Sequence, residues 1–331
     1  MIKKNSTPLN RVAQAFSVLL IASSFCSCEK KEMPVPAHDA GSIVTSSVKM
    51  EANYLNQLFL DLETNTIVQQ NIKTDWDLGF ESTVAGNRVI LNSAKLMFAA
   101  VTNQTDLLLV TDTIGLHFKW DIPSGNLDST AIGDWNSTKN VVIIDRGYNE
   151  LGVHQGFKKI LFKNVTHTEY EVQFANLDGS DEVVRQVVKV NAYNFTFLSL
   201  DNKIVNIQPE KENWDLAFTQ YTHIFQGNPP IPYLVTGVLT NRNNVEVATV
   251  FDKEFTSITL ADVDNYSFLT TINQIGYDWK EYSFNTSSYT VFSDKNYIIK
   301  STEGKYFKLH FIDFYDDLGV KGTPTFEFQE L

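Results

Sequence analysis

Apolar residues recur along this chain in short runs separated by turn-forming residues. Val141-Val142-Ile143-Ile144 is a continuous run, whereas Tyr170-Glu171-Val172-Gln173-Phe174 and Tyr289-Thr290-Val291-Phe292 alternate. Continuous runs of this length suit strands buried on both faces. Alternation suits strands with one face on a core. Gly, Asn, Asp and Pro punctuate the runs, as turns require. The 13 Tyr and 23 Phe fit pleated, half-buried surfaces. No long segment carries the three-to-four spacing of an amphipathic helix. The pattern predicts an all-β protein built of antiparallel sheets.

The pattern also repeats. Tyr54-Leu55-Asn56-Gln57-Leu58-Phe59-Leu60-Asp61 leads to Trp76-Asp77-Leu78-Gly79-Phe80, and Tyr193-Asn194-Phe195-Thr196-Phe197-Leu198-Ser199-Leu200 leads to Trp214-Asp215-Leu216-Ala217-Phe218. Each WDLxF precedes an apolar run ending in Asn92 or Asn241, then a further strand. The ends match loosely, as Lys158-Lys159-Ile160-Leu161-Phe162 against Phe307-Lys308-Leu309-His310-Phe311. Three landmarks in one order predict two tandem β-domains, 48–190 and 191–331, each long enough for its own core. The alternative is one large sandwich whose halves are alike by chance. Trp76 and Trp214 read as core anchors. Asp77 and Asp215, at the same repeat position, read as structural carboxylates that accept from nearby backbone.

The N-terminus is of another kind. Lys3, Lys4 and Arg11 precede an apolar stretch over 12–25, the charged and hydrophobic regions of a secretory signal. The stretch is too short for a membrane-spanning helix, which needs about 20 apolar residues. It ends in Ser24-Phe25-Cys26-Ser27-Cys28. Small Ser27 before Cys28, against bulky Phe25 before Cys26, selects Cys28 as the cleaved and lipidated cysteine of a lipoprotein. Residues 1–27 are then the signal peptide. Residues 28–47, with Glu29-Lys30-Lys31-Glu32, Pro34 and Pro36, are the tether. Cleavage also removes Cys26, so the remaining chain would have neither free thiol nor disulfide.

Composition, 43% hydrophobic and 20% charged, fits a folded protein. Loss of Lys3, Lys4 and Arg11 moves the net charge from −12 to −15. So acidic a chain excludes nucleic acid as a partner, because phosphate needs a basic surface. The sequence holds no HExxH, GxSxG, Walker A or dinucleotide fingerprint, and its two Cys cannot form a CxxC zinc site. Asp313, Asp316 and Asp317 sit among turn residues and read as turn-forming. The chain is expected not to be an enzyme.

The second half resembles a known family. Trp214-Asp215-Leu216-Ala217-Phe218-Thr219-Gln220-Tyr221-Thr222-His223, the stretch Tyr306 through Tyr315, and Gly319-Val320-Lys321-Gly322-Thr323-Pro324-Thr325-Phe326-Glu327-Phe328 are similar to the HmuY-like haem-binding lipoproteins of Bacteroidetes. Pro232-Tyr233-Leu234-Val235-Thr236-Gly237 and Ile275-Gly276-Tyr277-Asp278-Trp279-Lys280 fall where that family has similar strings. The likeness covers about 191–331; the first half shares the repeat landmarks only. The resemblance implies an all-β protein anchored by lipid to the outer membrane and exposed at the cell surface. It further implies haem as cofactor in iron acquisition, an outer-membrane haem receptor as partner, and axial ligation by His or Met. The charged patch after Cys28 likewise resembles the surface-export signal of such lipoproteins, and reads equally as a solvated linker.

Haem needs axial donors and an apolar, aromatic slot. Beyond the signal the chain has His38, His117, His154, His167, His223 and His310, and Met33, Met50 and Met97. No Met falls in the second half. His223 is the leading metal ligand, because strand alternation points Tyr221, His223 and Phe225 one way. It reads otherwise as a hydrogen-bonded histidine at a strand end. His310 is a second candidate on the wetter face of its strand, and Tyr221 and Tyr277 offer phenolates. Glu81-Ser82-Thr83-Val84 stands opposite His223 in the first half, so no haem ligand is expected there. A chain that keeps the fold without the haem site would instead be a non-catalytic surface lipoprotein binding a protein or a glycan.

Overall fold

The computed structural model describes residues 40–201 and 203–331. The expected signal peptide, Cys28 and the tether as far as residue 39 lie outside the described residues. No described helix is long and apolar enough to cross a membrane.

Twenty strands follow one another in the described chain. They are β1 (Val44–Ser47), β2 (Asn56–Asp61), β3 (Thr66–Ile72), β4 (Leu78–Glu81), β5 (Val89–Leu91), β6 (Phe98–Val101), β7 (Val142–Asp145), β8 (Phe157–Val165), β9 (Glu169–Asn176), β10 (Val183–Val188), β11 (Phe195–Ser199), β12 (Lys203–Val205), β13 (Leu216–Phe225), β14 (Ile231–Thr240), β15 (Glu246–Val250), β16 (Lys280–Ser283), β17 (Ser288–Val291), β18 (Asn296–Lys300), β19 (Tyr306–Tyr315) and β20 (Lys321–Glu330). Every pairing between strands is antiparallel. The all-β expectation holds.

The sheets repeat as the sequence does. One five-stranded sheet runs β10-β9-β8-β7-β6 and its counterpart runs β1-β20-β19-β18-β15. One four-stranded sheet runs β12-β11-β4-β5 and its counterpart β14-β13-β2-β3. The first large sheet packs on β4, β5 and β11 through Phe80, Val89, Ile144, Phe162 and Phe174. The second packs on β2, β13 and β14 through Leu58, Leu60, Phe218, Leu309, Phe311 and Phe326.

Strand pairing crosses the midpoint of the chain. The opening strands of the first half, β1 to β3, complete the sheets of the second half: Val44 pairs with Phe328, and Leu60 with Leu216. Reciprocally, β11 and β12 complete the small sheet that carries β4 and β5, with Leu198 opposite Leu78, whereas β10, which precedes the junction, closes the large sheet of its own half. The sequence repeats and the sheet-bearing units are therefore offset across the 190/191 junction. One sandwich is contiguous, β4 to β12; the other is split between β1 to β3 and β13 to β20. Val44–Ser47, placed in the tether by sequence, form the edge strand β1 because Phe328 and Phe326 of β20 offer them paired backbone. Gly41 and Gln329 lie beside one another there, the Gln329 side chain donating to the Gly41 carbonyl.

The exchange explains the continuous apolar run Leu58-Phe59-Leu60. Leu58 and Leu60 enter the second sandwich core, whereas Phe59 faces a third core between the two small sheets. There Phe59 meets Trp214 edge-on at 5.0 Å, and its repeat partner Phe197 meets Trp76 at 4.7 Å. The molecule is thus four sheets deep, with Trp76 and Trp214 in the central layer.

The two WDLxF motifs anchor the exchanged strands. Asp77 Oδ2 accepts from Leu200 N at 2.7 Å and Asp215 Oδ2 from Leu62 N at 3.0 Å, each a residue just beyond the other half's opening strand. Asn92 Nδ2 donates to the Lys73 and Trp76 carbonyls, and Asn241 Nδ2 donates to those of Lys211 and Trp214. Buried carboxylates and amides so bonded satisfy backbone that would otherwise lose 1–3 kcal/mol or so per group. The structural reading of both Asp residues holds, and so does that of both Trp.

Candidate functional site

β13 and β14 each run ten residues, whereas their counterparts β4 and β5 run four and three. β2 pairs only with the first residues of β13, Leu216 to Phe218. The far end of the β13–β14 hairpin therefore continues beyond that pairing. It carries His223 opposite Tyr233, and Phe225 opposite Ile231. The segment after Ile275 reaches this hairpin through a bridge between Gly276 and Val238. Gly276 has φ +65°, and a side chain there would meet the Asn273 carbonyl and the Tyr221 hydroxyl. Only glycine takes this conformation without strain.

The bridge brings Tyr277 to His223. The imidazole lies 4.8 Å from the rings of both Tyr277 and Phe225, and Phe225 lies 6.0 Å from Tyr233. Phe225 and Tyr233 are exposed, whereas Tyr221 is buried below them. His223 Nδ1 is buried and has no hydrogen-bond partner among the described residues. The hydrogen-bonded reading of this residue thus finds no bond at Nδ1. Desolvation lowers the His223 pKa, with the Asp278 charge opposing. A neutral imidazole is the form that binds a metal.

His310 is placed differently. It is buried, stacked on Phe255 at 4.0 Å. Its Nδ1 donates to the Ser293 carbonyl at 2.8 Å, and Nε2 lies 3.0 Å from Glu327 Oε2. The expectation of a wetter face is corrected here. The segment around Phe255, Ile258 and Val263 covers the outer face of the sheet, and Lys308 Nζ donates to the Ile258 carbonyl. Lys159, at the matching position, is buried the same way and donates to the Val110 carbonyl. Among the described residues no ring or hydrogen-bond contact joins His310 to His223. His154 is engaged by Asp145 at 2.7 Å, and His117 and His167 are exposed in the first half. Tyr233 and Asp278 were missed by sequence reading. Tyr233 was legible from the hairpin register; Asp278 depends on the Gly276 bridge, which no local pattern announces.

The repeat positions also differ in charge. Around Asp77 the fold places Lys95 and Arg146, and Arg146 also pairs with Asp201. Around Asp215 it places Glu63 and Asp61 instead. Among the described residues these three carboxylates form the grouping whose oxygens, within 4.8 Å of one another, match a cation's donors. Burial, with the Asp215 charge adding to it, raises the Glu63 pKa from 4.5 to about 8. Folding then binds a proton that the unfolded chain has released. Stability from this group is present below pH ~4.5 and is lost as pH rises through about 8. Glu63→Gln is therefore expected to raise the melting temperature relative to the parent, increasingly between pH 5 and 8.5. A gap that shrinks over that range, in paired thermal melts, would contradict the assignment.

The family profile described as HmuY protein matches the chain twice, at residues 53–190 and 191–328. The chain belongs to the HmuY family. It is built of two tandem HmuY domains. Among solved structures, apo PinO from Porphyromonas gingivitis is 12% identical, with a TM-score of 0.35 over 88% of this chain and 97% of that one. The apo HmuY analogue of Tannerella forsythia is 10% identical, TM-score 0.33, over 88% and 98%. A Bacteroides vulgatus protein described as HmuY-like and haem-binding is 16% identical, TM-score 0.22, over 52% and 90%. No curated protein matches. Superpositions this loose add nothing to the family match. Both HmuY domains of the chain have the WDLxF anchor, but the long hairpin with its histidine occurs in the second alone.

Proposed function

We propose that this HmuY-family chain is a non-enzymatic, lipid-anchored haem binder of the outer-membrane surface, serving iron acquisition through an outer-membrane haem receptor, with His223 as an axial iron ligand. The observation that carries the reading is the buried, unpartnered His223 Nδ1 within an aromatic cluster beyond the β2 pairing. Leaving such a nitrogen unbonded costs about 1–3 kcal/mol, and a ligand recovers that cost. Phe225, Tyr233 and Tyr277 supply apolar walls, and Tyr221 lies beneath as support. His310 contributes packing rather than ligation, since both its ring nitrogens are engaged. Anchorage would follow from lipidation of Cys28.

Hemin added to the purified protein is expected to give a saturable, sharpened Soret band. His223→Ala should weaken binding by roughly 10–100-fold or more, the range for disturbing a metal's ligand set. His310→Ala should leave the affinity unchanged. Equal affinities of parent and His223→Ala would overturn the ligand assignment. A parent without any saturable change would leave the exposed Tyr233 and Phe284, 60% and 89% accessible, as a surface for a protein or glycan.

A further inference from the structure

The central layer between the two small sheets is not filled. It holds a partly open cavity of about 100 Å³ between β2 and β13 on one side and β4, β5 and β11 on the other. An engineered apolar cavity only somewhat larger binds benzene. The space suits one ring-sized molecule and is too small for a porphyrin.

Two indoles stand out among its polar groups. Trp76 and Trp214, 7% and 3% exposed, both line it, and neither Nε1–H has a hydrogen-bond partner among the described residues. Gln208 Oε1, also on the wall, is an unpartnered acceptor. An indole nitrogen can only donate. A buried donor without a partner costs about 1–3 kcal/mol, and phenylalanine at both positions would avoid that cost. The two Trp occupy the same place in each repeat, so the duplication sets two equivalent donors in the wall of one shared space. The remaining charges on the wall are opposite. Arg242 donates to the Gly125 carbonyl, and Asp121 accepts from Leu91 N and Ala131 N at 2.7 Å each. With one cation and one anion, the lining does not select a charged ligand.

We infer that this cavity, whose wall includes Tyr221 of the hairpin but not His223, is a second binding site for an uncharged ring-sized organic molecule whose carbonyl-type oxygen accepts from Trp76 and Trp214. Apolar walls from Phe59, Phe195 and Phe197 take the ring. The Gln208 amide oxygen accepts an N–H or O–H from the same molecule.

The test is NMR of the full chain carrying ¹⁵N-labelled tryptophan, titrated with 2-pyrrolidone, a five-membered lactam, as probe. Five indole signals are expected, from Trp76, Trp120, Trp135, Trp214 and Trp279. Single Trp76→Phe and Trp214→Phe variants assign the two on the cavity. Those two should move downfield and saturate. Trp279, whose Nε1 is unpartnered but lies in the second sandwich core, should stay in place. Ala217→Leu fills the cavity from its wall. It should keep the fold, seen from unchanged dispersion of the spectrum, and weaken binding at least 10-fold. Cyclopentane, which lacks the carbonyl, should bind at least 10-fold more weakly. No shift of either signal at millimolar probe, or equal binding by the filled variant, would overturn the proposal.

Discussion

A fragment spanning residues 73–208 is expected to fold alone, whereas a fragment spanning 191–331 is not. The first retains β4 to β12 and a complete core between its two sheets. The second has the family's sequence unit but lacks β1 to β3. It loses Val48, Met50, Tyr54, Leu58, Leu60 and Leu62 from its core. At about 1.5–3 kcal/mol for each large buried side chain, that loss matches the roughly 5–15 kcal/mol that holds a domain together. It also leaves the Asp215 carboxylate without its Leu62 donor. The remedy is topological. Since Gly41 lies against the end of β20, a permuted chain running 214–331, a short linker, then 40–73 should regain a cooperative transition. Urea unfolding followed by circular dichroism decides the matter. A cooperative transition for 191–331 alone would contradict the exchanged pairing.

Arg146→Ala is expected to destabilise the contiguous sandwich by about 3–5 kcal/mol, the cost of stranding a buried charge. Asp77 is fully buried, and Arg146 reaches it at 3.0 Å while bonding Asp201 with the same guanidinium. Lys95 remains on the other oxygen, so part of the charge stays balanced. Asp201 is mostly exposed and adds little by itself. Arg146→Lys should recover only part of the loss, because one ammonium cannot bond both carboxylates as the planar fork does. The unfolding midpoint of fragment 73–208 isolates this change from the second sandwich. A shift below 1 kcal/mol or so would mean the ion pair is not what balances Asp77. The mirror position makes the opposite statement, since Asp215 faces carboxylates and Glu63→Gln is expected to stabilise.

Much of the architecture was legible because its signals are local. Strand alternation, turn residues and the WDLxF repeat each depend on neighbours in sequence, and all appear in the fold. The anchoring role of Asp77 and Asp215 followed from their shared repeat position. The exchange of β1 to β3 with β11 and β12 was not legible. Leu58-Phe59-Leu60 reads as a strand buried on both faces whichever partner it takes, and nothing local names that partner. The outer face of β19 was misread for a related reason. Tyr306, Lys308 and His310 look like a solvent face by alternation, yet a distant segment carrying Phe255 and Ile258 covers them and accepts the lysine's hydrogen bond. In the candidate site, His223 with Tyr221 and Phe225 was visible from period-two spacing. The approach of Tyr277 and Asp278 depends on a bridge between segments far apart in sequence.

The ligation state of ferric haem tests the haem reading most directly. Among the described residues His223 stands in the hairpin without a second histidine in contact, and His310 is engaged elsewhere. Electron paramagnetic resonance of the hemin complex is expected to show a high-spin ferric centre held by one imidazole, lost in His223→Ala. A low-spin, doubly ligated spectrum that persists in His223→Ala would contradict it.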